Sequence, residues 1–277
     1  MRTKKNQHSE KTVRFALFFF LFIFLVIIGS FIIKGVSLVQ SSLFDGEHRF
    51  SILFQSDNKT ERFLLSVSPQ ENTISVFRLY GEGIKLLQEF SVHLGIPIDA
   101  FVEYRYRSPF SPLVLKDLVF DYRSVKTNMT FLDVVRLWMF VKRVPTYNIT
   151  EKTYSFSSSE ADLDKGVLDS LMSSLFTDTA ISEEKRSIHI INSSGVSGLG
   201  NRVARIVTNM GGNVVAVSTG DSVLPVSEIM YSDEESYTLE KLQRIFRSKA
   251  VNTHKQAISD IVVIVGKDKS PLFTIQQ

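Results

Sequence analysis

Apolar side chains first crowd together near the N-terminus, where nineteen residues, Phe15 to Ile33, pass without a charge. A helix of that length spans about 28 Å, close to the hydrocarbon thickness of a bilayer. The pattern predicts a transmembrane helix over residues 15–36. A secretory signal is the competing reading, but its apolar core is normally only about 7–15 residues. Residues 37–46 then read as a short stalk. Beyond it the period changes to two. The runs Arg49–Phe54, Phe63–Val67 and Thr73–Leu79 predict strands, the last two joined by the turn Ser68–Asn72. Ile84–Leu94 has its apolar residues mostly on one face and predicts a helix ending at Gly95. Ile98–Tyr106 alternates again, as a strand does. Pro109 and Pro112 open a stretch without a period. Thr127–Thr130 precedes a helix with Phe131, Val134, Val135, Trp138, Met139 and Val141 as its apolar face, stopped by Pro145. Trp138, the single tryptophan, sits at core spacing.

Thr146–Ser159 is polar and serine-rich, the composition of a linker. Leu163, Val167, Leu168, Leu171, Met172, Leu175 and Phe176 then mark an amphipathic helix, whose stripe must be covered. A neighbouring domain is the simplest cover, a partner helix the alternative. From Ser187 the pattern sharpens. Ile188–Asn192, Asn213–Ser218, Glu228–Tyr231 and Asp260–Val265 are strand-like. Leu199–Met210 is helical, and a second helix runs from an acid-rich cap at Ser232–Glu235 to about Arg247. The expected fold class is α/β: one N-terminal transmembrane helix, a shortened α/β membrane-proximal domain, and a C-terminal two-layer β-α-β-β-α-β domain. The boundaries expected are a basic tail at 1–14, the helix at 15–36, the first domain at 37–150, a linker with its amphipathic helix at 151–185, and the last domain at 186–270.

Charge orients this picture. Residues 1–14 hold five cations and one acid, while the whole chain is formally +3. The remainder is therefore slightly acidic and offers no basic stripe for nucleic acid. By the bias of Lys and Arg toward the cytoplasm, the tail stays inside and the domains lie outside. This is a single-pass topology in the cell membrane, with the lipid bilayer as first partner. There is no cysteine, which excludes disulfides and thiolate chemistry. His8, His48, His93, His189 and His254 include no pair at helical metal spacing, so neither metal nor cofactor is expected.

The loop Asn192–Asn201 (NSSGVSGLGN) invites a phosphate-binding reading. Its glycines run G-x-x-G-x-G rather than G-x-G-x-x-G, there is no Gly-Lys-Ser/Thr, and Ser197 lacks the flanks of a nucleophile elbow. A tight strand-to-helix turn is the structural reading. Anion or glycan contact through Asn192, Ser194, Gly195, Ser197 and Gly198 is the functional one. Asp57, Arg62, Arg78 and Glu82 are the charged candidates along the first hairpin. They read as solvated surface, and no catalytic residue is assigned.

Two resemblances follow from these residues. Ile188–Asp268, with IHIINSSGVSGLGNRVARIV, GGNVVAVS and DIVVIVGKD, resembles the LytR C-terminal domain found behind LytR-CpsA-Psr proteins of bacterial envelopes. That likeness implies contact with peptidoglycan, another wall polymer, or wall-synthesis proteins, and supplies no catalytic residue. Ile52–Tyr106 resembles a shortened LytR-CpsA-Psr catalytic domain, whose full members transfer anionic glycopolymers from a lipid pyrophosphate to peptidoglycan through arginines and aspartates. Asp57 and Arg78 are the residual family positions. The position after the third strand where that family carries an arginine is Gly81 here, and the long middle segment is missing. The resemblance therefore implies a degenerate, non-catalytic binding or scaffold protein at the wall. A glycopolymer phosphotransferase is the alternative.

Overall fold

The computed structural model describes residues 5–56, 62–80, 91, 94–104, 112–155, 165–232, 234–253 and 258–269. The chain divides into two compact units, Met1–Ser42 and Leu43–Gln277. The first is a helix, α1 (Lys5–Gln40), and its stretch Ala16–Gln40 is long and apolar enough to cross a membrane. It passes the expected end at residue 36 because no proline interrupts the sequence there. The expected stalk shortens accordingly, since Phe44 is already buried in the second unit.

Six strands build the first sheet of that unit. β1 (Phe50–Ser56), β2 (Arg62–Ser68) and β3 (Thr73–Tyr80) form an antiparallel meander. β4 (Ala100–Tyr104) lies parallel to β1. Then come α2 (Pro112–Phe120), the two-residue β5 (Lys126–Thr127), α3 (Phe131–Arg143) and β6 (Ile149–Ser155), giving the order β5-β4-β1-β2-β3-β6. β1 and β2 are buried along their whole length, which is why their sequences read as continuous apolar runs. Phe50, Ile52, Phe54, Phe63, Leu65 and Val67 face α2 and α3. On the opposite face Leu53, Leu64 and Phe77 meet Leu168, Met172, Leu175 and Phe176 of α4 (Lys165–Phe176). The amphipathic stripe of α4 thus packs on the sheet.

Two expectations fail here for local reasons. The stretch after Pro109, expected to be irregular, contains α2. Pro112 stands at its first position, where a missing N–H leaves nothing unsatisfied. The expected linker contains β6, paired in parallel with β3. Its sequence ITEKTYS is polar because it forms the sheet edge, with Glu151, Lys152 and Thr153 exposed, and charge on an edge discourages further pairing. The expected helix at 84–94 lies almost wholly outside the described residues.

α3 is sharply capped. Thr130 Oγ1 accepts from Asp133 N, and Asp133 Oδ2 accepts from Thr130 N in return, a reciprocal box that satisfies two helix-end donors. Asp133 is fully buried and also takes the N–H of Phe44 on Oδ1 at 2.9 Å.

After α5 (Thr179–Glu184), the second sheet comprises β7 (Ser187–Asn192), β8 (Asn213–Thr219), β9 (Glu228–Tyr231), β10 (Ala250–Asn252) and β11 (Ile261–Val265), in the order β10-β9-β11-β7-β8. α6 (Leu199–Asn209) and α7 (Tyr237–Phe246) cover one face, placing Val203, Ile206, Val207, Leu239, Leu242 and Phe246 on Ile188, Ile190, Ile229, Ile261, Val263 and Val265. This is the expected two-layer order with one additional edge strand, β10, too short to leave a period. The cap of α7 falls later than expected. Ser236 Oγ accepts from Leu239 N, and the anion at the helix start comes from elsewhere in the chain: Glu184 accepts from the N–H groups of Tyr237 and Thr238 at 2.8 and 2.9 Å. Burial raises the Glu184 carboxyl, but the bonds from Thr238 and Tyr237 outweigh it and hold it below the usual range.

A polar seam joins the two sheets' layers. Lys241 Nζ of α7 lies 2.9 Å from Asp99 Oδ1, both side chains almost completely buried, and donates to the Arg49 carbonyl at 3.0 Å. Its approach to Asp99 is off the line of a well-directed hydrogen bond, so charge and proximity hold that pair. Arg49 donates to Leu175 O at 2.9 Å and pairs with Glu71. Tyr237 Oη donates to Asp178 at 2.8 Å, and the His48 ring stacks on Tyr237 with centroids 3.6 Å apart. Burial pushes the Asp178 carboxyl above the usual range despite Lys241 and Tyr237 beside it.

Asp260 ties the start of β11 to β7. It accepts from Ser187 N at 2.7 Å and Ser187 Oγ at 2.8 Å, and these bonds, the backbone one first, lower its pKa. A depressed carboxylate stabilises the fold above its unfolded pKa and loses that contribution as pH falls through the folded one. Asp260→Asn should therefore unfold at lower denaturant than the parent at pH 7. The gap should close as pH falls through and below the ordinary carboxylate range. A gap independent of pH would refute this.

Candidate functional site

The chain leaves β7 at Asn192 and turns within six residues into α6. Asn192 Oδ1 accepts from Ser194 N and Ser194 Oγ at 3.2 and 2.6 Å, while its Nδ2 donates to Val196 O at 2.8 Å. Ser194 Oγ in turn accepts from Val196 N. Ser194 is buried. These two side chains therefore build the turn and are committed within it. Gly195, Ser197 and Gly198 lie on the exposed rim. Gly195 and Gly198 have φ of +77° and +75°, the left-handed region that glycine enters without strain. Gly198 also occupies the cap position of α6 and supplies no side-chain acceptor. At Gly200 a Cβ would come within 3.1 Å of Asn192 and 3.2 Å of Val217, so this glycine lets the helix close on the sheet.

Three loops meet at this end of the sheet. Gly220 N donates to Asn192 O, Leu224 N to Ser193 O, and Ser193 N to Val265 O. Lys267 N donates to Leu224 O, and Asp268 accepts from Ser227 N and Oγ. Burial raises the Asp268 carboxyl, yet Lys269 at 2.8 Å and Ser227 hold it below the usual range. The rim so formed carries Gly195, Ser197 and Gly198 beside exposed Val223, Val226 and Lys267. The loop at 220–227 and the charges after β11 were not part of the sequence expectation. The only available signal was the polar break GKDK following an apolar strand.

The residual family positions do not share this place. Arg78 lies on β3 and pairs with Glu151 on β6. Asp57 lies outside the described residues. Among the described residues no group of three or more His, Cys, Asp or Glu side chains is placed to hold a metal ion.

A small α/β domain with one open sheet face and a glycine-rich β7–α6 turn is what the C-terminal part of the chain presents. Residues 185–268 match the model of the family described as LytR cell envelope-related transcriptional attenuator, so the chain carries that domain. No curated protein matches the chain. Among solved structures, the Lin1025 protein of Listeria innocua is 14% identical, over 47% of this chain and 99% of that one, with a TM-score of 0.30. The transcriptional regulator yvhJ of Bacillus subtilis is 12% identical, over 40% and 84%, with a TM-score of 0.31. B. subtilis TagU is 14% identical, over 47% and 97%, with a TM-score of 0.27. These likenesses are too slight to assign a function.

Proposed function

We propose that this is a membrane-anchored envelope protein whose C-terminal domain binds a wall polymer or a wall-synthesis protein and which catalyses no reaction. The match of residues 185–268 to an envelope family carries the reading. Two observations support it. The helix α1 suits an anchor, with the basic tail inside and the second unit outside. The one residual transferase position described, Arg78, is engaged by Glu151, whereas a pyrophosphate grip needs cations turned to the ligand.

The exposed rim at Gly195, Ser197 and Gly198 is the contact surface in this reading. Detergent-solubilised full chain should sediment with isolated sacculi, and Ser197→Asp, at an exposed position without positive φ, should lower retention severalfold without moving the melting temperature. Equal retention of parent and variant would remove the rim from the reading, and no retention of either would leave protein partners. Turnover of a polyprenyl-pyrophosphate glycan by the chain, lost on Arg78→Ala, would replace the binding role with transfer.

A further inference from the structure

Helix α3 faces two ways. Asp133, Val134, Leu137 and Val141 are buried against the first sheet. On the outer side Phe131 and Met139 are 45% and 41% exposed, with Val135 half-buried between them. A spacing of four places these three side chains in one row. Lys142 and Arg143 are exposed in the last turn, and Lys142 Nζ stands 5.7 Å from the ring centroid of Trp138. The helix has one acid, Asp133, and it is fully buried, so the outer charges are all cationic. At the end of α2, Phe120 is also exposed, and Tyr122 meets Phe131 edge to face at 5.6 Å.

The chain's own connectivity bears on what can reach this row. α3 holds the first residue of the buried core: Asp133 Oδ1 accepts from Phe44 N at 2.9 Å, and Arg136 Nη1 donates to Phe44 O at 3.0 Å. Only Ser41, Ser42 and Leu43 separate Phe44 from the end of α1 at Gln40. Fully extended, that link reaches at most about 14 Å. An α1 inserted in lipid therefore keeps Phe44, and with it the Asp133–Arg136 turn that holds it, within a short tether of the bilayer. Aromatic and aliphatic side chains bordered by Lys and Arg are the composition that settles at the headgroup–acyl boundary of anionic membranes.

We propose that the outer face of α3, Phe131, Val135 and Met139 with Lys142 and Arg143, lies on the membrane surface. The apolar row enters the boundary and the cations meet anionic headgroups, which fixes the orientation of the folded unit over the bilayer. The inference rests on the anchored reading of α1.

The single tryptophan makes it testable, because all tryptophan emission comes from Trp138 on this helix. The full chain is reconstituted into phosphatidylglycerol–phosphatidylethanolamine vesicles, with and without phosphatidylcholine brominated near the glycerol end of its chains. Emission should fall by about half with the brominated lipid, as for a side chain at the interface. Phe131→Glu with Met139→Glu should restore most of it, with an unchanged melting temperature because both positions are exposed. Lys142→Glu with Arg143→Glu should likewise restore emission. Flotation with the vesicles reports on the anchor separately. Flotation without quenching would overturn this proposal alone, and emission that then varied with protein-to-lipid ratio would identify a second copy as the cover. Failure to float would overturn the anchored reading and this proposal together.

Discussion

Asp99→Asn is expected to lower the unfolding free energy by about 3–5 kcal/mol, the cost of leaving a buried charge without its partner. The asparagine keeps the size of the side chain and an acceptor for Ser51 N, which Asp99 Oδ2 now serves at 2.8 Å. What disappears is the negative charge 2.9 Å from Lys241 Nζ, where the two side chains are 2% and 3% exposed. The ammonium then keeps the Arg49 carbonyl as a close acceptor, in a site almost closed to solvent. Lys241→Met should cost a similar amount for the converse reason. The double variant should recover most of the loss, because no unpaired charge remains and methionine fills the space of the lysine stem. The pair joins α7 to the β4 end of the first sheet, so both layers should unfold together. Denaturant unfolding followed by Trp138 emission and by far-UV circular dichroism reads this directly. Coincident transitions, shifted equally in the single variants, are the expected result. A shift of less than about 1 kcal/mol, the usual worth of a hydrated surface pair, would show that the seam is wet and contributes little.

Nothing in the sequence marks that seam. Lys241 stands in EKLQRIF, where it looks like any outward lysine of an amphipathic helix, and Asp99 stands two residues after Pro97 in what reads as a strand entrance. Burial of a charge is a property of the assembled layers, and a local period does not carry it. What local period does carry was legible. Ile188–Asn192 and Asp260–Val265 are short runs rich in Ile and Val, bounded by polar turns, and both are central strands. Leu168, Met172, Leu175 and Phe176 recur at helical spacing, and they meet the sheet.

The elements that escaped are those whose surroundings suppress the period. β6 and β10 are edge strands with polar or very short sequences, and α2 begins at a proline that, seen alone, suggests a break. The candidate loop was legible as a turn, since two glycines must adopt positive φ there. It was not legible that Asn192 and Ser194 would turn inward. Asparagine two residues before serine is as consistent with a ligand contact as with an Asx turn, and the hydrogen bonds to Val196 decide it.

The joint at Phe44 was equally hidden, because residues 37–46 have the composition of a stalk, and it supports the second large expected effect. Phe44→Ala should cost about 3–5 kcal/mol, the range for deleting a buried aromatic ring. The ring is 1% exposed and lies tilted on Phe50 with centroids 5.3 Å apart. Its backbone bonds to Asp133 and Arg136 do not need the ring, so the loss is one of packing and cavity. The segment Leu43–Arg49 is also gripped from the other layer, by Arg244 on Leu43 O, Tyr237 on the His48 ring and Lys241 on Arg49 O. Loosening it should expose the Arg49 peptide bond, and trypsin reads that exposure. With opening fast relative to cleavage, the cutting rate follows the open population, so a loss of this size should raise it by about a hundredfold or more. Phe44→Leu, which keeps most of the buried volume, should restore most of the protection. If Phe44→Ala were cut at the parental rate, the segment would be held by its polar clamps alone, and the ring would not be what ties the folded unit to the end of α1.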